Sequence, residues 1–139
     1  MDFVRAKIEK NKPALVVLDL IDHMSGKTDA ETIKNRELYQ EAREMSGQYC
    51  PILATSQADR TAMVYDKESG EESPRRYLGL SQLNYSKVEK QGAAESMIMI
   101  GADKNYPNER YINIVKEKRG RLTRFPCKFN DKYSLYEDL

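Results

Sequence analysis

The apolar residues of this chain fall into short blocks separated by long charged intervals, and those blocks set the order of its elements. Ala14 to Leu18 is an unbroken apolar run, part of it β-branched, and two acids follow it at Asp19 and Asp22. A short run of this kind predicts a buried parallel strand that presents a carboxylate at its C-terminal tip. In open α/β sheets ligands bind at that edge, and an acid there suits a hard cation such as the magnesium of a nucleotide. A core strand ending in a solvated acid fits the same stretch. Upstream, Val4 and Ile8 share one helix face over Met1 to Lys10, which predicts the last turns of a helix, and Asn11-Lys12-Pro13 breaks it.

Downstream, Leu38, Ala42, Met45 and Tyr49 recur at helical spacing and predict the core-facing stripe of a long helix that stops near Gly47. Ser25-Gly26-Lys27-Thr28 before it resembles the end of a phosphate-binding loop. Such a loop needs a glycine where this chain has Ile21, and Asp22 would repel a phosphate. Thr28 to Glu31 fits a helix capping box instead. Pro51 to Ser56 is a second short strand, and a strand, long helix and strand make a βαβ unit with parallel strands. Asp19 and Gln57 are then expected side by side at the carboxyl edge. A glutamine there can hydrogen-bond a water or a phosphate oxygen and so report the ligand.

Thr61 to Gly79 is polar and aperiodic and reads as a mobile loop. It ends in Arg75-Arg76-Tyr77, two cations beside an aromatic, a combination that suits phosphate neutralisation and base stacking on single-stranded nucleic acid. Leu80 to Gln91 predicts a short helix and Ser96 to Ile100 a third buried strand. Arg110 to Val115, Leu122 to Phe129 and Tyr133 to Tyr136 follow as strands, with a turn over 118–121. Consecutive strands with short turns predict an antiparallel or mixed edge on the parallel core.

Charge adds one asymmetry to a chain whose net charge is only +1. Residues 1–74 carry 10 Lys/Arg against 14 Asp/Glu, whereas residues 75–128 carry 12 against 5, so the second half offers a surface for phosphates. No apolar run reaches membrane-spanning length and the N-terminus is not that of a signal peptide, so a cytoplasmic protein is expected. Cys50 and Cys127 lack metal-ligand spacing and read as small core residues, and His23 has no partner pattern.

With these pieces in order, nearly the whole chain resembles the C-terminal part of the RecA-like ATPase domain of DnaB-type replicative helicases, phage members especially. VVLDLIDHM is similar to the family's Walker B strand and PILATSQADR to its strand followed by Ser-Gln and a nearby arginine. SKVEKQGAAESMIMIG is similar to the DNA-binding segment that leads into a buried strand, INIVKEKRGRLTRFPCKF to the strand, Lys-x-Arg-x-Gly turn and strand, and KYSLYED to the closing strand.

The resemblance implies an α/β, RecA-like fragment with parallel core strands, helices and an antiparallel C-terminal edge. Residues 1–139 would form one partial ATPase domain without the phosphate-loop half. It implies ATP and Mg2+ as cofactors of the full-length parent, with Asp19 as the magnesium-site carboxylate, Asp22 beside it in the nucleotide site, and Gln57 as the sensor of nucleotide and DNA state. Lys116, with Lys118 or Arg119, would act on the neighbouring subunit's nucleotide. The family has an arginine where this chain has Lys118, and lysine lacks the planar fork of arginine, so Lys118 and Arg119 share that assignment. Arg75, Arg76, Tyr77 and Lys87 would contact single-stranded DNA. The implied partners are that DNA, further copies in a homo-hexamer, and the phosphate-loop half itself, in a bacterial or phage-infected cell and with no membrane association. Without that half the 139 residues are not expected to hydrolyse ATP well. Another RecA-like ATPase of recombinase or clock type, or a non-catalytic remnant that binds single strands or a protein partner, shares part of this pattern.

Overall fold

The computed structural model describes residues 1–139 except 25–30, 66, 69 and 84–86, together with the side chains of 31, 32, 87 and 89. The chain gathers into two compact units, Met1–Gln57 with Asn84–Ala94, and Ala58–Leu83 with Glu95–Leu139.

The first unit is the predicted βαβ. Helix α1 (Asp2–Asn11) ends where Lys12 turns left-handed, with its amide donating to the Ile8 carbonyl. Strand β1 (Val16–Leu18) pairs in parallel with β2 (Ile52–Ala54), Val16 opposite Ile52 and Leu18 opposite Ala54, and helix α2 (Glu31–Gln48) connects them. Leu38, Ala42 and Met45 are buried, as their spacing predicts. They pack against Ile8, Leu18, Ile21 and Cys50, with Val4, Val16 and Ile52 partly buried around them. Tyr49 departs from the predicted stripe. It lies just past the end of α2, is largely exposed, and donates its hydroxyl to Glu9 Oε1 at 2.7 Å.

β1 is parallel but not buried on both faces. Leu18 points into the core, whereas Val17 and its register partner Leu53 are 56% and 55% exposed. An apolar run reports the capacity of a strand to be covered, not the presence of a covering layer within these residues. The short helix α3 (Lys87–Ala93) completes the unit. The stretch from Leu80 to Gln91 is therefore not one helix. A single 3-10 turn, Leu80–Gln82, precedes Leu83, which forms an isolated bridge with Ala58 in the second unit. The Gly-Lys-Thr sequence and the capping box at Thr28 lie outside the described residues.

In the second unit the segment read as a mobile loop holds a small antiparallel hairpin, β3 (Met63–Tyr65) on β4 (Glu72–Pro74). Three-residue strands are too short for alternation to register in sequence, and only the pairing defines them. A four-stranded antiparallel sheet follows in the order β5 (Ser96–Gly101), β6 (Glu109–Glu117), β7 (Thr123–Asn130) and β8 (Leu135–Glu137). Met99 on one face of β5 packs with Leu78 and Leu83 of the preceding segment, while Ile98 and Ile100 on the other face are exposed. Gly101 allows this packing. A Cβ there would lie 1.9 Å from the Arg76 carbonyl oxygen and 2.6 Å from that of Arg75, so only glycine lets the 75–76 backbone cross the strand end. The Ala102 amide donates to the Arg75 carbonyl at 3.2 Å in the same crossing. Cys50 and Cys127 are free and buried.

Candidate functional site

The parallel pairing of β1 and β2 brings their carboxyl ends together, and the ladder continues beyond the strands. The Thr55 amide donates to the Leu18 carbonyl at 3.0 Å and the Ile21 amide to the Thr55 carbonyl at 3.2 Å. Asp19 leaves the end of β1 exposed, with its carboxylate accepting the Thr55 hydroxyl. Gln57 also lies at this edge and is exposed. The residue beside Asp19 is Thr55, and Gln57 stands two positions further along the chain. Among the described residues no three His, Cys, Asp or Glu side chains converge as a metal cage. One exposed carboxylate beside a hydroxyl fits an ion that keeps most of its water and takes other oxygens from phosphates, which is the usual magnesium arrangement.

Asp22 has a different environment from the one expected of a nucleotide contact. It sits in the 3-10 turn Ile21–His23 with its side chain only 5% exposed, and three donors occupy its carboxylate. Lys90 Nζ lies 2.9 Å from Oδ1 and 3.1 Å from Oδ2, the Tyr39 hydroxyl donates to Oδ1 at 3.0 Å, and the Ser56 hydroxyl donates to Oδ2 at 2.6 Å. Lys90 also donates to Ser56 Oγ at 2.7 Å and lies 5.2 Å from the centre of the Tyr39 ring. Burial pushes the Asp22 carboxyl up, but the hydrogen bonds from Ser56 and Lys90, the charge of Lys90 and the Tyr39 hydroxyl outweigh it and hold the group below its ordinary value. Burial, with the charge of Asp22, drives the Tyr39 hydroxyl well above the usual tyrosine range. Asp22 is thus an internal ion-pair partner and not an open ligand.

Lys90 escapes sequence reasoning entirely. It is 1% exposed on α3, while the one large apolar residue of that helix, Val88, is 78% exposed. The helix is amphipathic in reverse, because Asp22 supplies the partner that makes a buried lysine tolerable. The available signal was an acid directly after a buried strand, which predicts a cation somewhere but not one 68 residues away.

In the second unit Arg75, Arg76 and Tyr77 are built into the packing. Arg75 Nε donates to the Thr61 carbonyl at 2.8 Å. Arg76 is ion-paired with Asp103 and stacks over Tyr106 and Tyr111, at 5.3 and 5.6 Å from the ring centres. The hydrogen bond between them lifts the Arg76 guanidinium and lowers the Asp103 carboxyl from their ordinary values. Tyr77 meets Tyr111 edge to face at 5.3 Å, and the Arg124 guanidinium lies 5.3 Å from its ring centre. Lys87 is the first residue of α3, and its side chain lies outside the described residues.

Lys116, half-buried on β6, stands opposite Met97. Lys118 pairs with Glu95 at 3.0 Å, with both side chains more than half exposed. Arg119 donates its backbone amide to Glu117 Oε1 at 3.2 Å, and its side chain is exposed. Of the two residues at the turn, Arg119 is the one with no ion pair among the described residues.

No protein-family model matches the chain, and no curated protein matches it. Solved structures do. A DnaB-like helicase ATPase domain, solved as that domain alone, matches with a TM-score of 0.76 and 18% identity, over 99% of this chain and 49% of that one. A DnaB-like replicative helicase, solved with its interactions with primase, matches with a TM-score of 0.74 and 18% identity, over 99% of this chain and 34% of that one. The chain thus spans about half the length of the first and a third of the second. The fold is that of a RecA-like helicase ATPase fragment, as the ordered motifs imply. No helix among the described residues is long and apolar enough to cross a membrane.

Proposed function

We propose that this chain, which has the fold of part of a DnaB-like helicase ATPase domain, is the C-terminal portion of such a domain in a hexameric replicative helicase that moves along single-stranded DNA on ATP. The observation that carries the reading is the parallel β1–β2 pair with Asp19 and Gln57 at its carboxyl edge, inside a fold matched over 99% of the chain. The 49% coverage of the isolated ATPase domain supports treating residues 1–139 as a partial domain whose phosphate-binding loop belongs to the other half.

In this reading Asp19, assisted by Thr55, holds Mg2+ through water, and Gln57 senses the terminal phosphate. When bound, magnesium and ATP supply the charge neutralisation and the leaving group for phosphoryl transfer. Lys116 and the Lys118–Arg119 turn face a neighbouring subunit's nucleotide. Arg119 is the better charge donor, because Lys118 must first leave Glu95. Arg75, Arg76, Tyr77 and Lys87 contact the DNA strand, with Arg76 exchanging Asp103 for a phosphate.

Fluorescence anisotropy of labelled oligo(dT) with the 139-residue chain tests this. Three phosphate contacts from Arg75, Arg76 and Lys87 give a slope of about −2 in log K against log salt. Absence of binding at low salt, or binding indifferent to salt, would sink the reading.

A further inference from the structure

The buried Lys90–Asp22–Ser56 cluster ties together four segments of the first unit. Lys90 belongs to α3, Tyr39 to α2, Asp22 to the turn after β1, and Ser56 to the segment just beyond β2. The cluster ends one position from the candidate site. Ser56 precedes Gln57 and follows Thr55, whose hydroxyl is bound by Asp19. The Ser56 hydroxyl cannot rotate away, because it donates to Asp22 at 2.6 Å while accepting from Lys90 at 2.7 Å.

The direction of the link is set by the geometry of Lys90. Its ammonium is fully committed, to both Asp22 oxygens and to Ser56, so a shift of α3 along its axis must either drag Ser56 or break a buried ion pair. Breaking it leaves an unpaired charge in a nearly dry setting, which is the costly alternative. Dragging Ser56 reorients the peptide that carries Gln57. Lys87, proposed above as a strand contact, lies one helical turn before Lys90 on the same short helix.

The geometry points to Lys90 as a positioning residue that transmits the position of α3 through Asp22 and Ser56 to Gln57, coupling strand contact to the nucleotide edge. This rests on the reading of α3 as a DNA-contacting element and of Gln57 as the sensor. The Lys90 ammonium is buried and touches neither ligand; it acts only through Ser56.

The test uses the full chain, isotopically labelled for NMR, with oligo(dT) as the probe. In the wild-type chain, saturating oligo(dT) is expected to shift the Gln57 side-chain amide and the Asp19 carboxyl resonance. In Lys90→Met the oligonucleotide is expected to bind within about twofold of wild type while those shifts fall by more than half. Ser56→Ala removes the far end of the link without stranding a buried charge, so it reports even where Lys90→Met folds poorly, and it should show the same loss. A merely structural role would leave the shifts in place in every variant that folds and binds. Undiminished shifts in Ser56→Ala overturn the coupling and leave the DNA reading standing. Failure of the wild-type chain to bind oligo(dT) overturns both.

Discussion

Replacing Lys90 by methionine keeps the stem of the side chain and deletes its charge, which isolates the buried ion pair as the variable. At the 2.9 Å separation from Asp22 and an effective dielectric of about 20, the direct attraction is about 6 kcal/mol. Much of this is offset by the desolvation of both groups, so the pair itself stabilises the fold by far less. Truncating one partner is different, because Asp22 stays buried with only Tyr39 and Ser56 as donors. Such losses run to about 3–5 kcal/mol. For a chain of 139 residues, about 3 kcal/mol corresponds to a fall of about 10 °C in Tm.

pH gives the loss a signature. The Asp22 carboxyl is held below its ordinary 3.8 in the native chain, so its contribution is fully present above that value and disappears as pH falls through the lower native value. In Lys90→Met, burial is no longer outweighed and the carboxyl rises above its unfolded value. The destabilisation is then largest near pH 7 and shrinks as the variant's carboxyl takes up its proton on the way down. Urea unfolding of both proteins at pH 7 and about pH 4, followed by circular dichroism, measures it. Adding Asp22→Leu to the lysine variant should recover most of the loss, since a matched apolar pair leaves no stranded charge. A difference below about 1 kcal/mol at pH 7, or one that stays constant with pH, would refute the buried-pair reasoning.

Gly101→Ala should destabilise by about 2 kcal/mol or more, read as a lower urea midpoint, because its Cβ would overlap the Arg76 carbonyl oxygen and both groups are backbone. Leu38→Ala should cost about 2–5 kcal/mol through the cavity it leaves under β1 and α2, whereas Ile33→Ala on the exposed side of α2 should change the midpoint by less than about 0.5 kcal/mol. Arg76→Ala should weaken oligo(dT) binding severalfold and lower the salt slope by about 0.7, while Asp103→Asn, which releases Arg76, should tighten binding; equal effects of both would refute the exchange of Asp103 for phosphate.

The order of elements was legible in the sequence because each leaves a local mark. The helical spacing of Leu38, Ala42 and Met45, the β-branched run before Asp19 and the turn at Lys118 to Arg121 are all properties of neighbours along the chain. So was the placement of Asp19 and Gln57 at one edge, since a strand, helix and strand have few ways to close. The hairpin at Met63–Tyr65, the exposure of Val17 and the break after Gln82 were not legible, because each depends on what lies alongside and not on what lies next in sequence.

The sequence by itself thus determined the α/β class, the stripe of α2 and the acid at the tip of β1. Local spacing and side-chain type carry that information. Only the tertiary structure decided that the two acids of that tip have opposite fates. Asp19 stays open beside Thr55, and Asp22 is sealed by a lysine from 68 residues away. A carboxylate carries no mark of whether water or a buried ammonium will answer its charge; burial decides that, and burial is a property of the whole packing.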